Sequence, residues 1–160
     1  MSNIYMKISN ISGNATAEGY QKAIILHSVN FNLERHMSTK VGEVSDRDSS
    51  RLNFSEVTIT KSLDNSTNDF FQNMCNANSI DEIEIHVCTA DSTPQAYAKY
   101  VLSNVMVAQH SHSVVADSKP IEKLRLNFTK VQITYTGRDN ANKAGSPYTT
   151  GYDLEKAKVL

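Results

Sequence analysis

A ten-residue phrase that occurs twice constrains the fold of this chain more than any other feature. Residues 51–60 read RLNFSEVTIT and residues 125–134 read RLNFTKVQIT, so seven of the ten positions are identical. Each copy alternates apolar and polar side chains, which is the two-residue period of a β-strand. The alternation slips after Phe54 and again after Phe128, so a bulge or a corner is needed to keep all apolar side chains on one side. The repeat predicts two equivalent bent strands, with chance similarity between two strands as the alternative.

Length and charge limit the classes of protein to consider. The chain has 160 residues and a formal net charge of −1, which suits one domain with a single core. Charges of both signs are interspersed, so attraction to nucleic acid or to an anionic membrane is not indicated. The start, MSNIYMKISN, lacks the pattern of a secretory signal peptide, and the apolar runs are too short to span a bilayer. We therefore expect a soluble chain made in the cytoplasm, without membrane insertion.

The two cysteines, Cys75 and Cys88, are expected to be reduced. A chain of this size needs no disulfide to hold its core together. Cys75 falls in a predicted helix and Cys88 in a predicted strand, so a disulfide between them has no support. We expect both thiols to be mostly buried and to act as small hydrophobic side chains.

A predicted strand with one polar face is followed by a long polar loop. The strand runs over residues 22–34, and Ser28, Asn30 and Asn32 alternate with apolar residues in its second half. One face should therefore meet the core and the other water or a polar partner. Residues 35–50 then read RHMSTKVGEVSDRDSS, without periodicity. Loops of this length within a compact domain are usually functional or disordered, so this one is a candidate interaction surface.

One helix is predicted after Leu63. Ser66 and Asp69 have the spacing of a capping box, which would satisfy free backbone N–H groups at the helix start. An apolar stripe at helical spacing should pack against a sheet; it consists of Phe70, Phe71, Met74 and Cys75. With about seven strands and this helix, the sequence predicts a mainly β fold. We expect a small β-barrel of two packed antiparallel sheets with one flanking α-helix.

The histidines are the first candidates for chemistry, because neutral imidazole binds metal ions and titrates near neutral pH. His110 and His112 would share a face of an extended segment, but no known metal-binding sequence pattern accompanies them. We expect them to be solvated in a polar loop over residues 109–120. The sequence has no nucleophile elbow, phosphate-binding loop or dinucleotide fingerprint. It therefore predicts no catalytic residue, no cofactor and no metal site, and it offers no case for an enzyme.

Several segments in a fixed order carry a family resemblance. Residues 5–13 read YMKISNISG, residues 60–67 read TKSLDNST before the predicted helix, and residues 124–135 read LRLNFTKVQITY. The tail adds Gly151, Tyr152 and Leu154, a glycine and an aromatic residue before a short charged stretch. In this order the segments resemble the Hcp family, the haemolysin-coregulated proteins that form the inner tube of type VI secretion systems.

The resemblance implies an assembly and its partners. Six β-barrel-like protomers would close into a ring, and rings would stack into a tube inside a contractile sheath. Contraction would expel the tube with its spike and cargo, so the protein would be cytoplasmic before firing and secreted afterwards. The implied partners are further copies of the chain, spike and sheath proteins, and small secreted effectors carried or chaperoned in the ring; nucleic acid is not among them. Residues 1–136 would form the Hcp-like domain and residues 137–160, which begin with a polar linker, a C-terminal extension packing on or between protomers.

Two sets of residues are predicted to have roles in this assembly. Matched to the family, the polar face of the first long strand would line the lumen and contact cargo through Ser28, Asn30 and Asn32. The polar loop after it would mediate stacking between rings through Arg35, Lys40, Glu43, Asp46, Arg47 and Asp48. The alternative is a stand-alone β-sandwich binding module or adhesin with the long loops as its recognition site. A hydrolase would need a pocket in which several titratable groups converge.

Overall fold

A computed structural model of the chain describes residues 2–37, 41–42, 49–141 and 143–160. Over these residues the chain forms twelve strands and one helix, which confirms the prediction of a mainly β fold with one helix. The described residues include no helix that is both long and apolar enough to cross a membrane. The elements are β1 Ser2–Lys7, β2 Ile24–Leu26, β3 Ser28–Asn30, β4 Leu33–Met37, β5 Ser49–Phe54, β6 Val57–Ser62, α1 Thr67–Cys75, β7 Ile80–Thr89, β8 Ala96–Ser113, β9 Ile121–Asn127, β10 Lys130–Arg138, β11 Ala144–Asp153 and β12 Lys158–Val159.

The strand pairs among the described residues are all antiparallel. One sheet has the order β12, β11, β10, β8, β7, β1, β2, and a second set of ladders joins β3, β6, β9 and β8. The hairpin β4–β5 is a separate two-stranded sheet. The two larger sheets therefore share β8. Within the described part of the chain the ladders do not close these sheets into a barrel, so barrel closure stays a prediction.

Strand β8 turns from one sheet into the other within its 18 residues. Residues 96–105 pair with β7, and residues 106–113 pair with β9. At the change of partner, Asn104 has φ +51°. Asparagine adopts this left-handed conformation more readily than most non-glycine residues. A register shift between Val107 and Gln109 adds a bulge just beyond, and such irregularities bend a strand.

Both copies of the repeated phrase contain the predicted corner. In the first copy β5 ends at Phe54 and β6 begins at Val57. In the second copy β9 ends one residue before Phe128, and β10 begins one residue before Val131. At the first corner the two strands have different partners, since β5 pairs with β4 and β6 with β3 and β9. At the second corner β9 and β10 pair with different segments of β8. All four named side chains still contact one hydrophobic core, as the phase slip predicts.

The predicted long strand over residues 22–34 is wrong, because the chain forms three short strands there. Strand β2 pairs with β1, whereas β3 pairs with β6, so the chain changes partner at His27. The backbone N–H of His27 donates to the carbonyl oxygen of Thr60 at 2.7 Å, and this bond stabilises the change of partner strand. Leu33, expected on the apolar core face, is 47% exposed in β4, because this part of the chain belongs to the separate hairpin.

The helix is where the sequence predicts it, but its contacts differ. Ser66 is the N-cap residue without a side-chain cap bond, because its hydroxyl bonds the Asp64 carboxylate instead. Of the predicted apolar stripe only Phe70 is buried, together with Thr67 at the start of α1. Thr67 and Phe70 face the core. The Thr67 hydroxyl helps to fix this orientation, because it donates to the buried Glu122 carboxylate of β9. The remaining stripe residues, Phe71, Met74 and Cys75, lie toward the outside.

The polar linker predicted after Gly137 is wrong from Ala144 onward, where β11 begins. Strand β11 pairs with β10 over most of its length, and β12 pairs with the end of β11. Gly151 allows the close approach, since a Cβ there would lie 2.5 Å from the carbonyl oxygen of Val131. The backbone N–H of Leu160 donates to the Gly151 carbonyl at 2.9 Å. The assignment of residues 137–160 as a separate extension stays a prediction.

Candidate functional site

The polar face predicted on the first long strand is present on β3 and continues onto its neighbours. Ser28 and Thr60 lie opposite each other on β3 and β6, and their hydroxyls are 2.5 Å apart. Asn30 is exposed and lies opposite Thr58 of β6, which in turn lies opposite Arg125 of β9. Because alternate residues of a strand share a face, these side chains form one polar surface across three strands. We call this surface the polar face.

A polar hollow ends this face at the base of the β4–β5 hairpin. It is lined by Asn30, Phe31, Asn32, Ser55, Glu56, Thr58 and Arg125. Ser55 anchors Asn32, because its hydroxyl donates to the Asn32 carbonyl at 2.9 Å and its N–H donates to the same oxygen at 3.0 Å. The structure thus brings Asn30 and Asn32 together. Thr58, Thr60 and Arg125 also belong to this surface and were not predicted. They were detectable in the sequence, because polar residues alternate with apolar ones in both copies of the repeat.

The predicted stacking loop is described only in part. Arg35 lies on β4, is exposed, and is opposite Leu52 of β5. The hairpin that carries it is a two-stranded sheet separate from the larger ones. The remaining predicted stacking residues lie outside the described residues and stay predictions; they are Lys40, Glu43, Asp46, Arg47 and Asp48.

An apolar groove lies between the β4–β5 hairpin and the C-terminal strands. Its centre is an aromatic contact between Phe54 and Tyr152, with ring centroids 5.0 Å apart. Exposed apolar side chains rim the groove, with Leu33 at 47% and Val159 at 68% exposure. Its lining is Phe31, Leu33, Arg35, Leu52, Phe54, Val131, Ile133, Thr150, Gly151, Tyr152 and Val159. Large apolar side chains grouped at a surface usually mark a contact with another molecule.

The outer side of α1 carries a second exposed apolar set. Phe71 is 58% exposed and Met74 is 39% exposed, although both lie on a helix whose other side is buried. We call the exposed surface of Phe71 and Met74 the α1 face. No residue of α1 lines the apolar groove. The described residues therefore include two apolar surfaces on different elements, the apolar groove and the α1 face.

A buried ionic cluster lies beneath α1. Lys61 of β6 and Glu122 of β9 are both fully buried, and the Lys61 Nζ lies 2.6 Å from Glu122 Oε2. The same ammonium lies 2.8 Å from Asp64 Oδ1, and Thr67 donates to Glu122 Oε2 at 2.8 Å. Buried charges require such partners, because removal from water disfavours them strongly. We call these four residues the ionic cluster.

The predicted position of His110 and His112 in a solvated loop is wrong, because both lie on β8, which extends to Ser113. The His110 side chain is only 4% exposed, and its Nε2 lies 2.7 Å from Glu122 Oε1. Burial lowers the pKa of His110, with Glu122 opposing that shift. His112 is exposed, and its Nε2 lies 2.8 Å from that of His110.

A second polar network lies on β7. Burial raises the pKa of Tyr20, so its hydroxyl stays protonated and donates to His86 Nδ1 at 2.9 Å. The His86 Nε2–H then donates to Glu84 Oε2 at 2.9 Å. Burial also lowers the pKa of His86, although Glu84 opposes the shift, while Lys7 and Lys99 add to it. The network is consistent with a neutral imidazole bonded on both sides, which is a structural role.

Folding stability should fall as the pH drops below about 6.5, the ordinary pKa of histidine. Because the folded-state pKa of His86 is lowered, the unfolded state binds more protons in this range and is favoured there. Urea unfolding at pH 7.5 and at pH 5.5 should show a lower midpoint at the acidic pH. His86→Gln should reduce this difference. A pH difference in His86→Gln equal to that of the unaltered chain would contradict the assignment.

The two thiols have different surroundings. Cys88 is buried, and burial raises its pKa, as expected for a small hydrophobic side chain. Cys75 is exposed at the end of α1, so the prediction that both cysteines are mostly buried is wrong for this residue. Its position on the outward side of the helix is the reason. The two are free thiols.

Comparison with known proteins gives the class of this fold. The family model described as "Type VI secretion system effector, Hcp" matches residues 5–135. A solved structure described as "Structure of a type six secretion system protein" has a TM-score of 0.94 at 18% identity, with both chains fully covered. Hcp1 from Salmonella typhimurium has a TM-score of 0.81 at 20% identity, with 99% of each chain covered. No curated protein sequence matches the chain.

A more distant likeness extends beyond secretion systems. A chain in the cryo-EM structure of the anti-feeding prophage baseplate has a TM-score of 0.52 at 12% identity. The match covers 82% of this chain and 91% of that chain. At these identities the structural likenesses show a shared fold. The fold is that of type VI secretion proteins, and the family match then defines the function.

The chain belongs to the Hcp family of type VI secretion systems, since the family model covers most of its length. It is a tube subunit of such a system and is secreted by it. Proteins of this kind are structural. The resemblance in the sequence is therefore confirmed.

Proposed function

We propose that six copies of this chain close into a ring through the apolar groove and the α1 face, and that rings stack into the secreted tube. A cyclic ring needs two different, complementary patches on each subunit. The observation that carries the proposal is the presence of two exposed apolar surfaces on different elements, one around Leu33 and one around Phe71. Each surface is covered when neighbouring subunits meet, which removes apolar area from water. The number six comes from the Hcp resemblance.

The mass of the purified protein in solution tests this ring. Light scattering should give about six times the 17.8 kDa of one chain, and negative-stain images should show rings. Stable oligomers keep their mass on moderate dilution, because large apolar interfaces hold them together. A mass of 17.8 kDa at every concentration would instead favour a stand-alone binding module.

The polar face lines the lumen of the ring in this proposal. In this proposal the two sheets together form a small barrel. Support comes from the direct connection of β2, which pairs with β1, to β3, which pairs with β6. Between them the His27 N–H donates to the carbonyl oxygen of Thr60 on β6. Ser28, Asn30 and Asn32 then face a water-filled channel, together with Arg125 of β9. Effectors are carried and chaperoned against this surface. A polar wall suits cargo that must be released, since it forms few lasting apolar contacts.

Replacing Asn30 by arginine should change cargo retention while leaving rings intact. The side chain is exposed and at the mouth of the polar hollow, so a larger charged group alters the wall without entering the core. The amount of each native effector that copurifies with the ring is the measurement. Asn14→Arg, at an exposed position outside the strands and outside the proposed contact surfaces, is the matched control. Unchanged retention of every effector by the Asn30 variant would count against a lumenal position.

The β4–β5 hairpin and the loop at its tip mediate stacking between rings in this proposal. The charged residues predicted there, from Arg35 to Asp48, should make stacking sensitive to salt, because exposed ion pairs are screened. Pelleting of assembled tubes should therefore fall when salt is raised from about 0.1 M to 1 M, while single rings persist. Deletion of residues 38–48 should abolish pelleting. Tubes that form normally without the loop would refute this assignment.

The C-terminal segment and the cell compartment complete the proposal. Residues 137–160 pack on or between protomers, which is supported by the exposed Tyr148 on β11 and Val159 on β12. The ring assembles in the cytoplasm, where it meets the spike and sheath proteins of the system. Expulsion then follows sheath contraction.

A further inference from the structure

Two histidines and a glutamate converge at the end of the β8–β9 hairpin. His112 and Glu122 lie directly opposite each other in the ladder, and His110 is two residues before His112 on the same face. One ligand atom from each of the three lies within 4.8 Å of the other two. The side chains come from two paired strands, so the backbone holds this arrangement. The tube function assigns no role to it.

Hydrogen bonds among these three side chains cannot pair all of their facing atoms at once. His110 Nε2 lies 2.7 Å from Glu122 Oε1 and 2.8 Å from His112 Nε2. A ring nitrogen carries either one hydrogen or one lone pair, so its single hydrogen can point along only one of these two contacts. If His110 Nε2 instead accepts from His112, no hydrogen lies between it and the Glu122 oxygen 2.7 Å away. A cation between the three atoms would accept a lone pair from each.

The donor set and its surroundings suit Zn²⁺. Two imidazoles and one carboxylate are ligands that zinc commonly takes, with a water in the fourth position. His110 and Glu122 close the inner side of the group, and the exposed His112 leaves the outer side open for entry. Ligand atoms of a tetrahedral zinc lie about 3.3 Å apart for Zn–N distances near 2.05 Å. The 2.8 Å contact between His110 and His112 must therefore widen by about 0.5 Å, which rotation of the exposed His112 provides. The 2.7 Å contact between His110 and Glu122 must widen by about 0.6 Å through a shift of the His110 imidazole.

Glu122 is already fixed by groups behind it. Its second oxygen accepts from Lys61 at 2.6 Å and from Thr67 at 2.8 Å. Such partners orient a ligating carboxylate and are part of most metal sites. Asp64 lies 2.8 Å from the same ammonium and offsets its charge. The ionic cluster thus positions one carboxylate oxygen toward the two histidines.

We propose that His110, His112 and Glu122 form a binding site for a single Zn²⁺ ion that ties the end of β8 to β9. The site is separate from the apolar groove and from the polar face. It lies beside the α1 face, since the Phe71 ring contacts His110 with centroids 6.3 Å apart. Zinc therefore braces the strand end against which the exposed part of α1 rests.

Calorimetric titration of the full chain with ZnCl₂, after treatment with a chelator, tests the site. The unaltered chain should bind one ion per chain. His112→Ala should weaken binding by at least about tenfold, because loss of even an outer partner has that effect. His112 is exposed, so this variant should fold, and circular dichroism checks it. His27→Ala removes another exposed histidine, outside the cluster, and should bind like the unaltered chain.

A second readout uses Co²⁺ in place of Zn²⁺. The unaltered chain and His27→Ala should show the visible absorption of tetrahedral cobalt, and His112→Ala should lose it. Absence of zinc binding by the unaltered chain would overturn the proposal. Equal affinity in His112→Ala and the unaltered chain would overturn it as well. Neither result bears on ring assembly, which is measured separately by mass.

Discussion

Phe71→Glu is expected to convert the proposed ring into single chains. The side chain is 58% exposed in the isolated protomer, so the substitution leaves the core intact. In the ring the same position would bury an unpaired carboxylate, which is strongly unfavourable. The penalty recurs at each of the six contacts of a closed ring. Light scattering should show a drop from about six chains to one, with an unchanged circular dichroism spectrum.

Leu33→Glu, in the apolar groove, should have the same effect for the same reason, since Leu33 is 47% exposed. Val41→Glu is the matched control, because Val41 is exposed but lies outside both apolar surfaces. It should keep rings and affect only their stacking. If both Phe71→Glu and Leu33→Glu retained full-size rings, the two surfaces would not form the ring contacts. Loss of rings in Val41→Glu alone would assign closure to the hairpin tip.

Lys61→Met is expected to be the most destabilising single substitution in the ionic cluster. It removes the cation and leaves Glu122 buried without its charge partner. Breaking a buried pair in this way typically costs about 3–5 kcal/mol, a large share of the stability of a single domain. Urea unfolding at neutral pH should show this loss as a lower midpoint with an unchanged slope.

The double variant Lys61→Met, Glu122→Gln is the control for this prediction. Removing both charges abolishes the uncompensated carboxylate at position 122, where the amide oxygen still accepts from Thr67. Asp64 keeps its hydrogen bonds from the Ser66 N–H and hydroxyl. Much of the lost stability should therefore return, because the two sites are coupled. The loss of stability in the double variant could instead equal the sum of the losses in Lys61→Met and Glu122→Gln. That result would show that the pair contributes little through its charges.

The corners of the fold could be predicted from sequence because their cause is local. The phase slips after Phe54 and Phe128 dictate a break wherever both sides must reach one core. The start of α1 was predictable in the same way from the polar residues around Ser66. The short strands β2 and β3 were not, because the step at His27 depends on two different partner strands. Periodicity reports which face is buried and not which strand lies alongside.

The ionic cluster and the histidine site depend on contacts between distant segments. Lys61 and Glu122 meet only because β6 pairs with β9. A signal was nevertheless present, since Lys61 continues the apolar alternation of β6 and Glu122 begins that of β9, so both point inward with opposite charge. His110 and His112 were assigned to a loop because polar residues dominate there, and the exposed end of a long strand has the same composition.

The left-handed backbone at Asn104 has an evolutionary implication. Nearly all side chains disfavour φ near +51°, and β-branched ones most strongly. Saturation mutagenesis with selection for secretion would therefore keep glycine, asparagine and aspartate at position 104 and discard valine and isoleucine. One residue in the middle of β8 would then set the angle between two sheets. Homologues would carry only a few residue types at this position.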